Sequence, residues 1–62
     1  MKRRVQISTV PGVGGVAATI GYVVRADGTE VNHMLVEAIH ADTRRPVSNE
    51  QLEAVRRFLG VG

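Results

Sequence analysis

The chain has 62 residues and no cysteine, so its fold must be stabilised without disulfide bonds. A chain of this size buries only about 60% of the surface that its unfolded form exposes. Hydrophobic residues make up 44% of the sequence, a share typical of a folded domain rather than a disordered one. We therefore expect a single domain, residues 1–62, that gains stability by association, most simply as a two-fold homodimer.

An uncharged stretch covers residues 5–24 and follows three basic residues, which is the outline of a signal peptide or a short membrane anchor. Polar residues and glycines interrupt the stretch, and Pro11-Gly12 is a turn pair. These interruptions argue against membrane insertion and export. We expect a soluble, cytoplasmic protein with no membrane partner.

Two segments of the N-terminal half alternate with the period of a β-strand. In residues 3–10, Val5, Ile7 and Thr9 share one face; in residues 16–25, Ala18, Ile20, Tyr22 and Val24 share one face. The glycine-rich residues 11–15 lie between them, so we expect an antiparallel hairpin. Residues 26–28 then predict a turn in which Gly28 adopts a positive φ.

The C-terminal segment has the features of a helix from about residue 49 to residue 59. Ser48 is a suitable N-cap, and Gln51, three residues later, completes a capping box. Gly60 follows the last periodic position, as is common after a helix C-terminus. The apolar stripe expected to face the core consists of Leu52, Val55, Phe58 and Leu59.

Residues 29–42 fit two structures. Their apolar residues match the i, i+3, i+4, i+7, i+8 spacing of a helix: Val31, Met34, Leu35, Ala38 and Ile39. A third strand is the alternative, because residues 26–28 also suit a hairpin turn, although the alternation is poor. We favour the helix. In both cases the class is α+β, with an N-terminal hairpin packed against one or two helices.

No residues form a recognisable catalytic arrangement, since cysteine is absent and the hydroxyl residues lack a local signature. On a helix, His33, Glu37 and His40 would share a face that could hold a divalent metal. A solvated helical face is the more common role of such residues. We expect no enzyme activity, no metal and no cofactor.

The distribution of charge favours binding over catalysis. Residues 1–25 contain four basic and no acidic residues, whereas residues 26–62 contain four basic and six acidic ones. A basic hairpin rim can neutralise phosphates, so contact with DNA or RNA is our narrow preference. The expected contact residues are Lys2, Arg3, Arg4, Arg25, Arg44 and Arg45.

The alternative is a protein–protein interaction module, such as a small inhibitor, antidote, adaptor or accessory subunit. A small core, exposed strand edges and an amphipathic helix all suit docking on a protein partner. The expected contact residues are then Met34, Leu35 and Ile39.

Overall fold

A computed structural model describes all 62 residues as a three-stranded antiparallel sheet followed by one helix. The strands are β1 (Lys2–Val10), β2 (Gly14–Val24) and β3 (Glu30–His40), and the helix is α1 (Asn49–Leu59). The strands lie in the order β1-β2-β3, so each pairs with its neighbour in the chain. The predicted α+β class is confirmed.

Both turns of the sheet form where the glycines allow them. Between β1 and β2, the Val13 amide donates to the Val10 carbonyl at 3.0 Å, and Gly12 has a φ of 80°. Between β2 and β3, the Gly28 amide donates to the Arg25 carbonyl at 2.9 Å, and Gly28 has a φ of 88°. The hairpin and the positive φ of Gly28 are therefore confirmed.

The helix preferred for residues 29–42 is wrong, because this segment forms β3. Two register shifts interrupt its pairing with β2. On β2, Gly21 and Val23 are two residues apart, but their partners Met34 and Val31 are three apart. Ala18 and Ile20 likewise pair with Ala38 and Leu35. Each bulge adds one residue to β3, so residues on the same face are three positions apart across a bulge instead of two. A spacing of three is also typical of one face of a helix.

Asn32 adopts a φ of 56° beside the first of these bulges. Asparagine tolerates the left-handed region better than most residues do. Asparagine is therefore a suitable residue for the left-handed backbone conformation at this bulge.

The predicted helix forms with both of its caps. The Ser48 hydroxyl accepts from the Gln51 amide, and the Gln51 side chain accepts from the Ser48 amide at 3.1 Å. Gly60 ends the helix with a φ of 69°. Val55 is completely buried, whereas Phe58 is 52% exposed and lies outside the core stripe predicted for it. No helix of the chain has the length and apolarity needed to cross a bilayer.

The core lies between α1 and one face of the sheet and contains no large side chain other than Ile20. Its members are Val10, Val16, Ala18, Ile20, Ala38, Val47 and Val55. Residues that pair across an antiparallel sheet share a face. Since Gln6 pairs with Ala18 and Ser8 with Val16, the polar side of β1 faces the α1 side. Val5 and Ile7 therefore point away from the core.

The outer edge of β3 is covered by other parts of the chain between His33 and His40. At one end, the His40 amide donates to the Arg45 carbonyl and the Val47 amide donates to the Ala38 carbonyl. Near the middle of the strand, the Leu35 amide donates to the Gly62 carbonyl at 2.8 Å. The opposite edge of the sheet, along β1, has no such cover.

Candidate interaction surface

The sheet face opposite α1, called the open face below, is covered by no other element. It carries Val5 and Ile7, which are 64% and 67% exposed, and also Val23, Met34 and Val36. Single exposed apolar residues are common on protein surfaces, but a contiguous apolar area usually marks an interaction site. The open face is therefore the main candidate site of this molecule.

A shallow depression of about 380 Å³ lies on the open face. Val5 and Ile7 of β1, Ala17 of β2 and Ile39 of β3 provide most of its apolar lining. Glu37 and Arg44 add one negative and one positive group. The depression can therefore accept an apolar side chain and offers polar partners beside it.

Gly21 lies on the open face and is itself buried. A Cβ atom at this position would lie 3.0 Å from the Met1 sulfur and 3.1 Å from Cγ2 of Val36. Two apolar side chains thus approach the glycine backbone and extend the apolar surface beyond the depression.

The structure separates the three residues expected at a protein interface. Met34 is 46% exposed on the open face, and Ile39 pairs with Ala17 on the same face. Leu35 pairs with Ile20 and packs against the core on the opposite face. Val5 and Ile7 were not among the expected contact residues. The sequence feature that could have identified them is the presence of apolar residues on both faces of the β1–β2 hairpin.

A polar cluster occupies the α1 side of the sheet near the start of β1. The Arg4 guanidinium and the His33 ring contact the same Oε1 atom of Glu30, at 2.7 and 3.0 Å. Arg4 also lies 4.9 Å from the centre of the Tyr22 ring, and Tyr22 stacks on His33 at 5.8 Å. The hydrogen bonds from His33 and Arg4 lower the pKa of Glu30. This cluster links all three strands.

The six cations expected to bind nucleic acid occupy opposite ends of the sheet. Lys2, Arg3 and Arg4 begin β1, and Arg25 follows β2 at the same end. Arg44 and Arg45 follow β3 beside the other end. Of the six, only Arg4 forms an ion pair. The two groups are roughly 25 Å apart along the strands.

The three possible metal ligands do not meet. His33 contacts Glu30, Glu37 lines the open face, and His40 pairs with Val16 near the far end of β3. No group of three metal-ligating side chains is present in the structure.

Comparison with known proteins identifies no relative. No protein-family model matches the chain, and no curated protein or solved structure is significantly similar to it.

Proposed function

We propose that this chain is a non-enzymatic, cytoplasmic binding module that docks on another protein through its open face. The observation that carries the proposal is the exposure of Val5 and Ile7 on a sheet face that no helix covers. The apolar residues on this face would lose contact with water on binding, which is the main favourable contribution to most protein association.

The size of the open face suits a protein partner. Strands of 9 to 11 residues, spaced ~4.8 Å apart with a rise of ~3.3 Å, give a face of roughly 30 by 14 Å. This is about 400 Å² in projection, about half of the ~800 Å² that one partner usually contributes to a specific interface. The accessible area is larger because the side chains stand out from the sheet.

The lining of the depression favours one kind of partner. An apolar side chain fits between Ile7 and Ile39. Beside it, Arg44 can bind a carboxylate and Glu37 can bind a cation, since neither forms an ion pair within the chain. A partner that presents an apolar residue flanked by one acidic and one basic residue therefore has the complementary chemistry.

Photo-crosslinking in the cells that make the protein tests the proposal. A photoreactive amino acid at Val23 or Met34, on the open face, is expected to form an adduct with one specific protein. The same group at Glu53, on the exposed side of α1, serves as the control and is expected to form none. The purified partner is then expected to bind the wild type and not the Val36→Glu variant.

Failure of both open-face positions to form adducts, or adducts only between two copies of this chain, would contradict the proposal. Binding of the purified partner to the Val36→Glu variant with unchanged affinity would also contradict it.

The second candidate function is contact with nucleic acid. Five of the six basic residues expected to bind it form no ion pair, so their charges are available to phosphates. Lys2, Arg3 and Arg25 lie at one end of the sheet and are the best placed to bind phosphates together. If each of these three residues contacts one phosphate, a plot of the logarithm of the binding constant against the logarithm of the salt concentration has an expected slope of about −2.7.

Fluorescence anisotropy with a DNA duplex and an RNA, at two salt concentrations, measures this slope. Lys2→Ala and Arg3→Ala are each expected to reduce it by about 0.9, whereas Arg57→Ala on α1 is the matched control and should not change it. Absence of binding at low salt would exclude this candidate, because electrostatic contact is strongest there.

A further inference from the structure

The two edge strands of the sheet differ in how many of their outward backbone groups are already hydrogen-bonded. On β3, the backbone groups of His33, Leu35, Ala38 and His40 form hydrogen bonds with other segments of the chain. On β1, the only backbone hydrogen bond outside the sheet pairing is the one that the Val10 carbonyl accepts in the turn. The groups that point outward from β1 are therefore free to bind another strand.

The sequence of β1 provides little protection for this edge. Proteins usually protect free edges with charged residues, proline, bulges or short strands. The strand is nine residues long and pairs with β2 without a register shift. Its charges are confined to residues 2–4, and residues 5–10 contain neither a charge nor a proline.

We propose that β1 pairs antiparallel with β1 of a second copy, which joins the two sheets into one sheet of six strands. The two-fold axis would pass near Gln6 and Ile7, close to the centre of β1. An antiparallel arrangement places residues 2–4 of each chain opposite the uncharged end of the other strand, whereas a parallel one would bring like charges together.

The covered edge of β3 limits the assembly to two copies. Residues 33–40 of β3 are already bonded within the chain, so β1 is the only full-length free edge of each copy. Pairing of β1 with β1 uses both of these edges. The result is a closed dimer rather than a filament.

The dimer would place the two open faces side by side on the same side of the joined sheet. Their combined projected area is roughly 800 Å², the usual contribution of one partner to a specific protein interface. The dimer and the docking of another protein are nevertheless separate events, and either can occur without the other.

Sedimentation equilibrium across a range of concentrations, with three lysine variants, tests the proposal. The wild type is expected to have twice the 6.7 kDa chain mass at high concentration. Gln6→Lys and Ile7→Lys add a charge on opposite sides of β1, and both are expected to shift the protein to the monomer mass. Met34→Lys, on the open face of β3, is the control and is expected to remain dimeric.

The pattern of the variants separates this dimer from one formed between open faces. Dissociation by Ile7→Lys and Met34→Lys, with Gln6→Lys still dimeric, would overturn the proposal in favour of face-to-face packing. A wild type that stays monomeric at all concentrations would overturn it as well.

Hydrogen exchange provides a readout that needs no variant. Amides of β1 that point outward are expected to be protected at concentrations where the dimer forms and to exchange rapidly after dilution. Equal exchange at both concentrations would contradict the proposal. Neither outcome bears on whether another protein binds the open face, which the crosslinking experiment tests separately.

Discussion

At the scale of single residues, Glu30 is the shared acceptor of the polar cluster on the sheet. Its Oε1 atom accepts from Arg4 on the opposite edge strand and contacts His33 on its own strand. Tyr22, on the central strand, lies against both of these partners. The interaction therefore crosses the sheet although all of its members are accessible to water.

Replacement of this carboxylate is expected to change how stability depends on pH. Because the pKa of Glu30 is lowered in the folded state, its stabilising effect is present above its unfolded pKa and is lost as the pH falls through its folded pKa. We expect Glu30→Gln to be less stable than the wild type near neutral pH, and the difference to disappear in acid. Denaturant unfolding at a series of pH values measures this.

Glu37→Gln is the control, because the carboxylate of Glu37 forms no ion pair and lies on a strand rather than in the first turn of a helix. Both variants should retain the pH-dependent stability that Asp27 contributes, because the hydrogen bonds with Thr29 lower the pKa of Asp27. If Glu30→Gln and the wild type lost the same stability between neutral and acid pH, the role given to Glu30 would be wrong.

At the scale of elements, α1 attaches to the sheet mainly through one side chain. Val55 is the only helix residue that is completely buried, and Leu52 and Leu59 pack beside it. Phe58 is larger but projects into solvent. The helix therefore depends on a small contact with the sheet.

Truncation of these two helix residues is expected to have unequal effects. Val55→Ala should lower the free energy of unfolding by ~2 kcal/mol, because it removes buried methyl groups and leaves a cavity. Phe58→Ala should cost less than ~1 kcal/mol, since the ring is half exposed. Denaturant unfolding of the two variants compares them directly, and an equal loss of stability would mean that Phe58 belongs to the core.

The elements that local chemistry determines could be predicted from the sequence, whereas the third strand was only the alternative to the preferred helix over residues 29–42. Ser48, Gln51 and Gly60 define the ends of α1 through contacts within a few residues, so the helix limits were correct. The conformation of β3 depends on bulges formed against β2, and nothing within residues 30–40 alone reveals them.

At the scale of the whole molecule, a single helix covers only one face of a sheet that is apolar on both. The strand periods correctly separated the two sides of β1 and β2, but the side that α1 covers depends on contacts between distant residues. For this reason the core was predictable at Ala18 and Ile20, while the exposure of Val5 and Ile7 was not. The open face and the separation of the cations became visible only with the complete fold.

The bulged strand also bears on the order in which the molecule folds. Residues 30–40 combine the apolar spacing of a helix with helix-forming residues such as Met34, Leu35 and Ala38, yet they end as a strand. Their local preference therefore opposes their final conformation until a pairing strand is present. The β1–β2 hairpin has the shorter loop and no register shift, so it can form independently of β3. We expect this hairpin to appear first, with β3 added late as the step that commits the chain to its native topology.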